Sequence, residues 1–231
     1  MSFQTICPKC GAPSNPSTGI CPFCKAPFSS AKTSGTVTVN PTIAMIQSTF
    51  DEGHLPDALN LVTAYERENP KALEDLPTVI LYLRILLESE GPLSKINSLI
   101  SSALLKFPTD PTLHDFLDIS RAKTFLNSHA LDNALKTLET LAQRSPENYL
   151  MLFTTGAALQ WEKKDSANAA KYLEKCVTLR PQFLRAWACL GAVYKTLGNQ
   201  TLSTRAFQKC LTLETDPQMR NCFQTQIQSQ T

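Results

Sequence analysis

The 231-residue sequence predicts an all-α protein, a solenoid of helical hairpins, with a small four-cysteine metal module in front of it. Three observations predict this. Four of the eight cysteines fall in two matched C-x-x-C pairs within the first 24 residues. Pro70, Pro108, Pro146 and Pro181 recur at intervals of 38, 38 and 35 residues. Small or apolar residues stand at fixed distances before each proline, spaced so that they share one helix face. The resulting organisation is a metal module over 1–28, a polar linker over 29–40, about five hairpin repeats over 41–215, and a capping helix with a tail over 216–231.

The first element reads Cys7-Pro8-Lys9-Cys10-Gly11 and then Cys21-Pro22-Phe23-Cys24-Lys25, with ten residues between Cys10 and Cys21. Zinc takes four ligands at tetrahedral corners, and a C-x-x-C turn offers two thiolates to one metal while the backbone reverses. Over roughly residues 5–28 the pattern resembles the short zinc ribbons of many bacterial proteins, with Lys25 where a glycine is usual. That resemblance implies that Cys7, Cys10, Cys21 and Cys24 hold one structural Zn²⁺ in a closed shell, with no position for substrate. A redox dithiol is the competing reading of C-P-x-C. So short a segment buries too little apolar surface to fold unaided, so metal binding would supply its folding free energy.

Residues 29–40 are small and polar without a helical period and read as a tether. Beyond them the sequence repeats itself. Ala58, Ile96, Ala134 and Ala169 stand twelve residues before their prolines; Val62, Ile100, Leu138 and Leu173 stand eight before; Tyr65, Ala103, Leu141 and Cys176 stand five before. A fifth copy gives Ser203, Phe207 and Cys210, its proline displaced to Pro217. Gly53, Gly91 and Gly198 mark the turn inside three units, with His129 and Lys164 in the same slot of the others. After Pro217, Met219, Cys222, Phe223 and Ile227 recur at helical spacing, as a helix covering the last apolar face would require.

These units resemble the tetratricopeptide repeat, whose pattern runs W-x₂-L-G-x₂-Y, then a small residue, an aromatic and a proline. Trp187, Leu190, Gly191, Tyr194, Gly198 and Phe207 fall in that order, and the preceding copy matches through Ala169, Leu173, Cys176 and Pro181. The resemblance covers about residues 39–217. The first three copies lack the tryptophan and two have longer spacings, which leaves a helical-hairpin solenoid of another type as the alternative.

Composition narrows the function. With 18% charged residues and a net charge of +2, nothing mandates nucleic acid or anionic lipid. The most apolar run, Val79 to Leu87, contains Arg84 and is far shorter than a membrane span. The opening residues lack a basic region followed by an apolar one, so a cytoplasmic address is expected, where thiols stay reduced. Cys176, Cys189, Cys210 and Cys222 are expected in the helical core. No phosphate loop, nucleophile elbow, H-E-x-x-H or dinucleotide loop occurs, and His54, His114 and His129 are isolated, so no enzyme is expected.

The resemblance implies a concave surface, lined by the first helix of each hairpin, that binds a partner peptide or helix. Its slots would hold Ile43, Leu81, Ile119, Thr154 and Ala188, then Gln47, Ile85, Lys123, Ala158 and Ala192. An apolar or mixed groove is expected, with Lys123, Asn127, Trp161, Arg185 and Lys195 as partner contacts; Trp187 is expected in the core. No membrane and no small-molecule substrate are expected. The alternative is a nucleic-acid reader using Lys9, Lys25, Phe23 and Phe28 of the ribbon.

Overall fold

The structure is a computed structural model and describes residues 5–6, 13–14, 42–69 and 71–229. The chain divides into two units, Met1–Val39 and Asn40–Thr231. In the first, β1 (Thr5–Ile6) and β2 (Pro13–Ser14) pair antiparallel, Thr5 opposite Ser14 and Ile6 opposite Pro13. Cys7, Cys10, Cys21 and Cys24 themselves, and the 29–40 linker, lie outside the described residues.

The second unit consists, among its described residues, of five hairpins and a final helix. The hairpins are α1 (Ile43–Asp51) with α2 (Leu55–Glu68), α3 (Leu76–Glu88) with α4 (Leu93–Lys106), α5 (Pro111–Asn127) with α6 (Leu131–Arg144), α7 (Tyr149–Trp161) with α8 (Ser166–Leu179), and α9 (Leu184–Thr196) with α10 (Gln200–Leu213). The final helix is α11 (Pro217–Gln228), and a 3-10 turn, Ala72–Glu74, precedes α3.

The helix starts are chemically marked. Thr42, Asp75, Asp110, Asn148, Asp165, Asn199 and Asp216 each accept a backbone N–H of the first turn through the side chain, satisfying donors that have no partner inside the helix. The stops between repeats share one backbone geometry. Asn69, Phe107, Ser145 and Arg180 have φ between −127° and −135° and ψ between 63° and 79°. Each precedes a proline, which disfavours helical geometry in the residue before it. Glu214, followed by no proline, is instead extended at ψ 134°.

Inside the hairpins the turn needs one left-handed residue: Gly53 at φ 92°, His129 at 58°, Lys164 at 60° and Gly198 at 74°. The second hairpin departs from expectation, because Glu90 at φ 54° takes that place and Gly91 does not. Gly91 is used for close approach, since a Cβ there would lie 2.8 Å from Leu86 Cδ2. A non-glycine residue in this region costs on the order of 1 kcal/mol.

The repeat positions read before each proline form the core. Ala58, Val62, Ile96, Ile100, Ala103, Ala134, Leu138, Leu141, Ala169, Leu173, Cys176, Ser203, Phe207 and Cys210 are buried, and Tyr65 packs against them. At Gly191 a Cβ would come within 2.8 Å of Phe207 Cε1, so the repeat's glycine is set by the contact of α9 with α10. Trp187 is half-buried and packs against both the main core and the smaller cluster of Phe207, Cys210 and Phe223, its indole N–H donating to Pro181 O at 2.9 Å. The capping helix uses Phe223 and Ile227, with Phe223 stacked on Phe207 at 6.2 Å. Cys222 does not join them. It is exposed, because its neighbour Phe223 holds the buried face of α11.

Candidate functional site

The inner side of the array differs from the open groove that the first-helix slots suggested. Leu81, Ile85, Ile119, Thr154 and Ala158 are buried, and α3 and α7 are buried nearly all round. The physical reason is that the array winds back on itself. The end of α1, the end of α3 and the α8–α9 junction meet, although residues 50 and 180 are far apart in sequence.

Arg180 makes this meeting. Its Nε donates to Glu88 Oε1 at 3.1 Å, its Nη2 to Phe50 O at 2.6 Å and its Nη1 to Asp51 O at 3.4 Å, and its guanidinium lies 4.2 Å from the Phe50 ring centre. The two carbonyls belong to the last turn of α1, where the helix dipole favours a cation. Tyr149 O–H donates to the same Glu88 oxygen at 2.7 Å, and Arg84 Nε reaches Tyr149 Oη at 3.5 Å. Glu88 is only 2% exposed, and burial pushes its carboxyl above the ordinary carboxylate value against the opposing pull of Arg180. Burial also drives the Tyr149 phenol upward, so it stays a donor.

Beside this clasp lies a cavity of about 400 Å³ between the α3–α4 turn, α5 and α7. Leu87, Leu93, Ile96, Leu126, Phe153 and Ala157 form its apolar wall, and Glu90, Lys123, Asn127 and Thr154 add polar groups. Arg185 Nη2 lies 2.6 Å from Glu90 Oε1, and Lys123 Nζ lies 3.7 Å from the same oxygen. The Arg185 guanidinium also sits 5.3 Å from the Phe153 ring centre. Lys123 is 15% exposed, and burial lowers its ammonium pKa although Glu90 opposes the shift. Burial tends to raise Glu90, but its hydrogen bond to Arg185 and the nearby charges hold it below the ordinary carboxylate value.

Of the five expected contacts, Lys123 and Arg185 thus meet at Glu90, and Asn127 lines the same cavity. Trp161 is 52% exposed and takes no part in the cavity wall. Lys195 is committed to the capping helix, donating to Gln226 Oε1 at 3.0 Å and to Ser229 Oγ at 3.1 Å. Sequence reasoning did not find Glu88, Glu90 or Arg180. One signal was present, since Val79 to Leu87 is apolar on every side of a helix but that of Arg84, and such a helix is covered nearly all round. The burial of Cys176, Cys189 and Cys210 raises their thiol pKa values, to about 11 for Cys189 and about 12 for Cys210, which leaves them unreactive near neutrality.

Among the described residues no group of histidine, cysteine or acidic side chains is arranged to hold a metal. The four N-terminal cysteines fit one by donor chemistry, being four thiols in two C-x-x-C pairs. No described helix is long and apolar enough to cross a membrane.

Fold and site define a helical-hairpin solenoid with a charged, cavity-bearing inner side. The family model described as tetratricopeptide repeat matches residues 157–183, from the end of α7 through α8, and residues 184–217, which span α9 and α10. A tetratricopeptide-repeat protein of Thermus thermophilus is similar in structure at 15% identity and a TM-score of 0.51, over 80% of this chain and 96% of that one. A tetratricopeptide-repeat protein of Parabacteroides merdae is similar at 12% identity and 0.50, over 80% and 69%. BtubC of P. vanneervenii is similar at 12% and 0.50, over 80% and 82%. These likenesses show the fold of the array. No curated protein matches.

Proposed function

We propose that this chain is a non-enzymatic interaction scaffold that takes a peptide or helix of a partner protein on the inner side of its array. The cavity of about 400 Å³ carries this reading, because it joins an apolar wall to Lys123, Asn127 and Glu90 at a place where the hairpins do not fill the space themselves. Recognition sites combine apolar area with a few convergent polar groups in this way. Its clustered charges serve orientation and specificity more than affinity.

The test is site-specific crosslinking in the native cell. A photoreactive phenylalanine analogue at Asn127 should trap a partner, whereas the same analogue at Leu105, which is 87% exposed, should not. Equal labelling from both positions would remove the inner side as the binding surface.

The same proposal gives the first unit one structural Zn²⁺ on Cys7, Cys10, Cys21 and Cys24. The donor set supports it, and the paired strands β1 and β2 stand on either side of the first C-x-x-C pair in sequence. Metal analysis should find one zinc per chain, lost on Cys10→Ser and Cys24→Ser replacement, with the helical content of the array retained. A metal-free wild-type chain purified without chelator would sink the assignment.

A further inference from the structure

We propose that Glu90 is a built-in occupant of an anion site formed by Lys123 and Arg185, and that the partner segment is acidic, one of its carboxylates taking the place of Glu90. The inference rests on the inner side being the binding surface and adds the chemistry of what binds there.

Charge points first to an anion. Arg84, Lys123, Arg180 and Arg185 converge on this side of the array, facing Glu88 and Glu90, with Asp51 at the margin 3.9 Å from Arg180. The two internal glutamates are held differently. Glu88 is buried and gripped by Arg180 and Tyr149, so it is part of the framework. Glu90 is half-exposed and stands on a turn at the cavity, where a competitor in solution can reach it.

The geometry of the pair is incomplete. Arg185 reaches Glu90 through Nη2 alone, while its Nη1 is buried and has no hydrogen-bond partner. A guanidinium engages a well-placed carboxylate through two parallel N–H bonds, and one such bond is left unmade here. The Glu90 backbone is held in the left-handed region at φ 54°. A non-glycine residue persists in that region only where surrounding structure imposes it, and such positions cluster at ligand clamps and switches. A partner carboxylate is not tied to that turn and can take the place of Glu90 at Arg185 Nη2 and Lys123 Nζ.

The apolar wall completes the specification. Leu126 and Phe153 line the cavity in which Glu90 and Lys123 stand. The segment that fits therefore carries an acidic side chain within a helical turn of a large apolar one.

The test uses the full-length chain and a short amphipathic peptide of leucine, alanine and glutamate, with both ends blocked so that only side-chain carboxylates are offered. The control peptide has lysine in place of each glutamate. Fluorescence anisotropy should show the glutamate peptide binding, and Glu90→Gln should tighten it by about fivefold, the scale of one partly exposed ion pair. Glu90→Gly removes the same carboxylate while suiting the left-handed backbone, and it should reproduce the gain even if the glutamine variant folds poorly. Lys123→Ala or Arg185→Ala in either background should abolish the gain, and the lysine peptide should not bind. Unchanged or weaker binding in both Glu90 variants, equal binding of the two peptides, or no binding of the glutamate peptide at all would overturn the proposal. A partner crosslinked at Asn127 together with any of those results would leave the inner side as the binding surface and remove only its acidic specificity.

Discussion

Replacing Arg180 by methionine would test the winding of the array directly. The change keeps much of the apolar stem but removes a guanidinium that is 10% exposed and touches Glu88, Phe50 and Asp51. Removing one partner of a buried pair leaves the other charge uncompensated, which costs about 3–5 kcal/mol. The two lost bonds to the α1 carbonyls add about 1 kcal/mol each at most. Part of this is relieved by protonation of Glu88, whose carboxyl is already raised by burial, so the expected total is about 3–4 kcal/mol. Because repeat arrays unfold in parts, the loss should be local. Hydrogen exchange is therefore the informative assay. Amides of α1 should lose protection while α9 and α10 keep theirs. Adding Glu88→Gln should recover a large share, since no buried charge then lacks its partner. Protection of α1 unchanged within about 1 kcal/mol, or a double variant no better than the single, would refute the clasp.

The two glutamates should respond to pH in opposite senses. Glu88 has a raised pKa, so the native state binds its proton first and this site favours folding more as pH falls from neutrality through that raised value. The contribution of Glu90, whose pKa is lowered, is present above the ordinary carboxylate value and disappears as pH falls through the lowered one. Stability profiles of Glu88→Gln and Glu90→Gln against wild type should therefore diverge in different pH windows, Glu88 at the higher. Gly191→Ala should lower stability by about 1–3 kcal/mol, because the new methyl would sit 2.8 Å from Phe207 and force repacking between α9 and α10; thermal melts would measure it, and an unchanged midpoint would mean that the helices stand farther apart. Among the four C-terminal cysteines, Cys222 should alkylate first in the native protein, with Cys176, Cys189 and Cys210 modified only after unfolding; mass mapping of partially labelled chains would show any other order.

The hairpins were legible because their signals are local. An aspartate or asparagine before a helix accepts N–H groups three residues on, and a proline stops the helix that precedes it. The burial of Ala169, Leu173 and Cys176 follows from a period of 3.6 residues within one segment. The turn of the second hairpin was misplaced by one residue because Gly91 is the obvious candidate for positive φ, while its actual duty is to admit Leu86. Lys123, Asn127 and Arg185 were named from their place on first helices, which locates side chains roughly but says nothing of their partners.

The sequence by itself determined the succession of hairpins, the face each one buries and the helix that closes the array, all of which depend on residues a few positions apart. Only the tertiary structure decided that the inner side closes on Arg180 and Glu88 and keeps a cavity beside Glu90. Each hairpin is rotated a little against the one before it, and these small rotations accumulate along the array. Whether Phe50 meets Arg180 depends on the sum of every packing angle between them, a quantity that no single stretch of sequence carries.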